Sequence, residues 1–173
     1  DKITYTPQDV FLFSDTVKNN ILFGRPGASD EDVQFYAKAA CVQEDILGLP
    51  KQYETIVGER GVMLSGGQKQ RISIARCLIK NPEIVVLDDC LSAVDARTEQ
   101  EIVRNMNQLL SGKTVLFITH RIFAVMNFDQ IYVMDEGRIA ESGTHTELLE
   151  KDGIYADMYQ LQQKEGQPVN AVE

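Results

Sequence analysis

Two short runs carry the residues best suited to chemistry. Leu64-Ser65-Gly66-Gly67-Gln68 places two glycines behind a serine at the start of a helix. The first N–H groups of a helix lack intrahelical acceptors and form the positive end of its dipole, so this terminus suits a phosphate. Glycine there also lets a bulky anion approach the backbone closely. Further along, Ile84-Val85-Val86-Leu87-Asp88-Asp89 reads as a buried parallel strand. It delivers two carboxylates at its C-terminal end, the edge where α/β sheets hold ligands. An anion cradle and a carboxylate pair able to hold a metal together point to a nucleotide.

The elements that position these runs follow from local pattern. Ile3-Thr4-Tyr5 is a short strand leading into Pro7-Gln8. Ser14 is the expected N-cap of a helix ending near Gly24, and Ser29 caps a second helix through about Cys41. Asp30, Glu31 and Asp32 fall favourably in its first turn. A short helix around Glu44–Leu47 stops at Gly48 and Pro50. With no strand among them, residues 9–62 read as a small helical subdomain. Ser65 and Gln68 form an S-x-x-Q capping box on a helix running to about Lys80. After the strand comes a loop to Asp95, which caps a helix through about Leu110, and then the strand Val115–Thr119. Ile131–Asp135 and Arg138–Glu141 flank Glu136-Gly137 as a hairpin. A C-terminal helix spans about Tyr155 to Gln163. Alternating strands and helices imply an α/β fold with a mostly parallel sheet flanked by helices, plus the helical subdomain.

Bulk properties narrow the function. The 173 residues are 43% hydrophobic and 25% charged, within the globular range. A net charge of −9 argues against nucleic acid as a partner, because neutralising a phosphate backbone needs a basic face. No apolar run approaches the ~20 residues that span a bilayer. Cys41, Cys77 and Cys90 lack CxxC spacing and read as buried or semi-buried thiols. His120 and His145 do not complete a zinc site with them.

The string from Leu64 to Gln68, continued by Lys69-Gln70-Arg71, resembles the signature motif of ATP-binding-cassette (ABC) ATPases. Other residues match the same family. Gln8 in Pro7-Gln8-Asp9 resembles the Q-loop glutamine, which reaches the catalytic Mg2+ and the attacking water. Asp88 resembles the aspartate that holds Mg2+, and Asp89 occupies the position of the general base. Ser92-Ala93-Val94-Asp95 resembles the D-loop, which communicates between paired subunits. His120 in Ile118-Thr119-His120-Arg121 resembles the switch histidine that senses the γ-phosphate. Val57-Gly58-Glu59-Arg60-Gly61 is similar to the exporter segment that touches the membrane domain, with Glu59 its transmitting residue. Phe11-Leu12-Phe13-Ser14-Asp15-Thr16-Val17 and Gly143-Thr144-His145-Thr146-Glu147-Leu148-Leu149 also resemble exporter cassettes. The resemblance covers roughly residues 2–163.

The resemblance implies a partial ABC ATPase fold. Residues 1–8 would be the end of a core strand with the Q-loop, and 9–75 the helical subdomain with the signature. Residues 76–165 would be the rest of a RecA-like α/β core, and 166–173 a polar tail. It also implies ATP and Mg2+ as ligands. The partners would be a second ABC cassette, in a homo- or heterodimer with the heterodimer favoured, and the transmembrane domain of the same transporter, which would place this chain at the cytoplasmic face of a membrane. In such a pair Leu64, Ser65, Gly66, Gly67 and Gln68 act on the partner's ATP, whereas Gln8, Asp88, Asp89 and His120 line the chain's own site.

Two departures qualify this. The phosphate loop G-x-x-x-x-G-K-[ST] is absent. Gly112-Lys113-Thr114 imitates its end, but Asn107 stands where its first glycine belongs, and a strand follows instead of a helix. The expectation is that the chain is the C-terminal part of a longer cassette, soluble but a weak nucleotide binder and poor ATPase alone. Uncovered sheet surface would favour self-association. The second departure is Asp89, where active members usually carry glutamate. The shorter side chain withdraws its carboxylate by more than about 1 Å, and a misplacement near 1 Å can cost about 10²-fold, unless the backbone shifts to compensate. This suggests the slow, degenerate site of a heterodimeric exporter. Two other readings stay open: a regulatory module holding ATP without hydrolysis, and a non-transport ABC ATPase.

Overall fold

The computed structural model describes residues 2–58 and 61–166, with the side chains of Glu165 and Gly166 left aside. It divides into two compact units, residues 1–119 and 120–173.

The first unit holds a three-stranded parallel sheet. Strands β1 (Ile3–Thr6), β2 (Ile84–Asp88) and β3 (Thr114–Ile118) lie in the order β1-β2-β3, with Ile3 beside Ile84 and Ile84 beside Thr114. Side chains alternate across the sheet, so Thr6, Val85 and Leu87 are buried on one face. The other face carries Ile3, Tyr5, Ile84, Leu116 and Ile118, all exposed. Parallel strands are normally covered on both faces; the described residues of this unit cover one.

Helices α1 (Val17–Leu22), α2 (Asp30–Ala39), α3 (Gln43–Leu47), α4 (Gly66–Ile79) and α5 (Ala96–Leu109) complete the unit. One core joins Val17, Ile21, Val33 and Ile46 to Ile72 and Ile74 of α4, and to Val85, Leu87 and Ile102. Residues 111–113 form a helix-to-strand turn, in which Gly112 has φ 76° and the Lys113 ammonium donates to the Asn81 side chain. The imitation phosphate loop is therefore a connection between α5 and β3.

The caps at Ser29, Ser65 and Asp95 form as the sequence implies, the first two as complete capping boxes. The expected cap at Ser14 does not: Thr16 is the N-cap of α1 and accepts from Asn19 N–H at 3.0 Å. The reason lies further along the chain. Buried Asn20 bonds both the N–H and the C=O of Phe13, at 2.9 and 3.0 Å. That fixes a bend at residues 14–15 and delays the helix. Helix α2 also stops at Ala39, short of Cys41, which turns into the left-handed region at φ 54°.

The second unit is a hairpin with two helices. Strands β4 (Ile131–Asp135) and β5 (Arg138–Gly143) pair antiparallel across Glu136-Gly137, whose φ values of 45° and 74° suit a tight primed turn. Helices α6 (His145–Glu150) and α7 (Ile154–Gly166) follow. Leu148 and Tyr155 bury against Ile122, Ile131 and Val133. The Glu141 side chain caps α7, accepting the N–H groups of Ile154 and Tyr155 at 2.7 and 3.1 Å. Residues 167–173 of the expected polar tail lie outside the described residues.

Candidate functional site

Within the first unit, Gln8, Asp88 and Asp89 meet at the C-terminal edge of the sheet. Gln8 leaves β1 and donates its side-chain amide to Asp89 at 3.2 Å. Asp88 ends β2 and accepts from the Tyr5 hydroxyl at 2.9 Å. That hydrogen bond holds the Tyr5 phenol above its ordinary pKa. Asp89 has φ 43°, a left-handed conformation that aspartate tolerates better than most residues, and its N–H donates to Ile118 C=O at 2.8 Å. The turn throws its carboxylate off the strand toward Gln8.

Two carboxylates and an amide oxygen are hard oxygen donors. Mg2+ is ordinarily held by one or two carboxylates together with nucleotide phosphates, so Asp88, Asp89 and Gln8 fit that ion. Among the described residues no group of three or more His, Cys, Asp or Glu forms a metal cage.

The N-terminus of α4 is the second part. Ser65 Oγ accepts from Gln68 N–H at 3.2 Å, and Gln68 Oε1 accepts from Ser65 N–H at 2.9 Å. The N–H groups of Gly66 and Gly67 have no acceptor among the described residues. The glycines also have a packing reason. A Cβ on Gly67 would stand 2.7 Å from the Ala93 carbonyl oxygen, and one on Gly66 would stand 3.3 Å from Ala93 Cβ. Leu64, just ahead of the cap, is buried.

Residues 92–95 link these parts. Ser92 Oγ donates to Asp89 C=O at 3.0 Å, and Ala93 N–H donates to the Gln70 side chain at 2.9 Å. Val94 is buried. Asp95 caps α5 by accepting Thr98 N–H at 3.0 Å, a bond that holds its carboxyl below the usual carboxylate range.

His120 belongs to the second unit. Its carbonyl accepts from Gln162 Nε2 at 2.6 Å, while Ile122 N–H donates to Gln162 Oε1 at 2.9 Å. Glu59 lies outside the described residues. Gln70 lies in the signature string but without an assigned role, and the motifs gave no sign of Asp45 or Gln162; the contacts of all three are distant in sequence. Thr144 and Glu147, a complete capping box on α6, were legible as T-x-x-E.

Comparison with known proteins decides the family. The family model described as ABC transporter matches residues 1–92. The chain belongs to the ABC transporter family. It is 55% identical over 161 residues to the probable multidrug resistance ABC transporter ATP-binding/permease protein YheI of Bacillus subtilis, covering 93% of this chain and 28% of that protein. It is 52% identical to the multidrug resistance-like ATP-binding protein MdlA of Escherichia coli (95% and 28%) and 48% identical to an ATM1-type heavy metal exporter of Novosphingobium aromaticivorans (95% and 27%). Its fold superposes with a TM-score of 0.88 on a bacterial Atm1-family ABC exporter solved with ATP bound, at 47% identity, covering 94% of this chain and 29% of that one. The chain thus spans less than a third of the length of these relatives. Its fold is a partial ABC ATPase fold, and it is part of an exporter-type ATP-binding cassette. Among the described residues no helix is long and apolar enough to cross a membrane.

Proposed function

We propose that the chain serves as the signature- and carboxylate-bearing part of a cassette that binds and hydrolyses ATP, paired with a second cassette, to drive export through an attached membrane domain. The observation that carries this reading is the grouping of Gln8 with Asp89, beside Asp88, at the ligand-binding edge of the sheet.

In this reading Asp88 and Gln8 would hold Mg2+, which when bound would offset phosphate charge. Asp89 accepts the proton of the attacking water, and the Gln8 amide fixes the direction of its carboxylate. Gly66 and Gly67 offer their free N–H groups to the phosphate held by the partner cassette, and Ser65 and Gln68 keep that turn rigid. His120 senses the γ-phosphate, and Glu59 passes the closure to the membrane domain. The signature and the carboxylates therefore serve two different nucleotides. The pair works at the cytoplasmic face of the membrane, and aspartate at position 89 favours a heterodimer in which this chain's own site is the slower.

The test is ATP turnover by the full-length transporter in lipid. Asp88→Asn should abolish turnover at the site this chain lines. Unchanged turnover at that site would remove Asp88 from the machinery and the reading with it.

A further inference from the structure

Gln70 lies on α4 beyond the signature glycines and is 6% exposed. Both ends of its amide are engaged. Ala93 N–H can only donate, so it must meet Oε1, at 2.9 Å. Nε2 then donates to Ser92 Oγ at 3.0 Å. The Ser92 hydroxyl, already accepting there, passes its single proton to Asp89 C=O at 3.0 Å. The direction of every bond in this chain is fixed by the first one.

The same peptide is gripped from a second side. Gly67, one turn before Gln70, brings the helix so close to Ala93 C=O that a Cβ would stand at 2.7 Å. The segment 92–93 therefore cannot shift relative to α4 without breaking the Gln70 pair or colliding with the glycine turn. Asp89 in turn is held at three points: its N–H on Ile118, its C=O on Ser92 and its carboxylate on Gln8.

We infer that Gln70 is a positioning residue, which sets the orientation of Asp89 through Ser92 and so ties the signature helix to the reacting carboxylate within one chain. The inference rests on the function proposed above. A movement of α4 on engaging the partner's nucleotide is delivered to the backbone of Asp89, so the two sites this chain contributes to are coupled without any contact across the dimer.

Gln70→Glu is the informative substitution. It keeps the size of the side chain and the acceptor for Ala93 N–H. The second oxygen of the introduced carboxylate cannot donate to Ser92 and competes with Asp89 C=O for the Ser92 hydroxyl proton. Turnover by the full-length transporter is measured with Gln70→Glu, Ser92→Ala and the double variant, together with KM for ATP and the thermal midpoint. The expected result is kcat lowered about tenfold in each single variant, KM within about twofold, a midpoint that falls but stays above the assay temperature, and a double variant with kcat no worse than the singles. Wild-type kcat in Gln70→Glu, or a double variant losing the product of the two single effects, overturns the inference. Asp88→Asn, run alongside, separates the two failures: if it leaves turnover intact the functional reading falls as well, and if it abolishes turnover only the Gln70 relay is lost. Should Gln70→Glu fail to fold, Ser92→Ala alone decides, since it removes the hydroxyl through which Gln70 reaches Asp89 and leaves only the residue 92 N–H on Asp89 C=O, at 3.3 Å.

Discussion

The Gln68 side-chain amide donates to Asp45 Oδ1 at 2.9 Å, and the other oxygen of Asp45 takes Arg71 Nη1 at 2.9 Å. Arg71 also reaches the C=O groups of Gly67 and Cys41. One carboxylate on α3 thus fixes both the signature glutamine and the arginine that closes its first turn. Asp45→Ala should lower stability by about 1–2 kcal/mol, the range of hydrogen bonds to charged groups with a discount for partial exposure. Asp45→Asn keeps the acceptor for Gln68 and should recover part of the loss. Urea unfolding measures both, and an unchanged midpoint in Asp45→Ala would remove the anchoring role.

The two signature glycines should differ in their tolerance of alanine. At Gly67 the added Cβ meets a backbone oxygen at 2.7 Å, which cannot yield without moving residues 92–93. At Gly66 it meets a side-chain carbon at 3.3 Å, within reach of a small adjustment. Alanine gains up to ~1 kcal/mol of helix propensity over glycine, while overpacking costs about 1–3 kcal/mol. Gly67→Ala should therefore destabilise by about 1–2 kcal/mol and Gly66→Ala should be near neutral. The reverse order in denaturant titrations would rule out Ala93 as the reason for glycine.

These contacts mark where sequence reading stops. The caps at Ser29, Ser65 and Asp95 could be read because donor and acceptor sit three residues apart. The α/β order and the Glu136-Gly137 turn were legible for the same local reason. Ser14 looks as good a cap as Thr16, and only Asn20 reaching back to Phe13 decides between them. Gln8, Asp88 and Asp89 were found by motif, and Gln70 sits in the signature string, but the contacts that give Gln70, Asp45 and Gln162 their roles reach partners 22 to 42 residues away. Nothing in a short window distinguishes such a glutamine from one on a solvated face.

The thiols give a pH-dependent readout. Burial pushes Cys90 up to about 12 and Cys41 up to about 11 from an ordinary value of 9.0. The folded chain therefore keeps these protons to higher pH than the unfolded chain does. Their contribution to stability is full below the ordinary value and is lost as pH rises through the raised ones. Alkylation requires the thiolate, so at pH about 8 Cys90 and the buried Cys77 should resist iodoacetamide until the chain unfolds. Half-buried Cys41 should react slowly and faster as pH rises. Mass spectrometry locates the adducts, and rapid native labelling of Cys90 would contradict its burial.

Asp89 offers the sharpest separation between a slow enzyme and a module that only holds ATP. Its φ of 43° aims the carboxylate at Gln8, at 3.2 Å, but leaves the side chain one methylene shorter than the usual glutamate. Asp89→Glu should restore the reach and raise turnover at this site toward the ~10²-fold that a misplacement of about 1 Å can cost. The gain should fall short of that figure, because glutamate accepts a left-handed backbone less readily than aspartate does. Single-turnover hydrolysis by the full-length pair, with the partner's own catalytic carboxylate neutralised, isolates the effect. A rise identifies Asp89 as a working but withdrawn base, while no gain, with ATP still bound, identifies the site as regulatory.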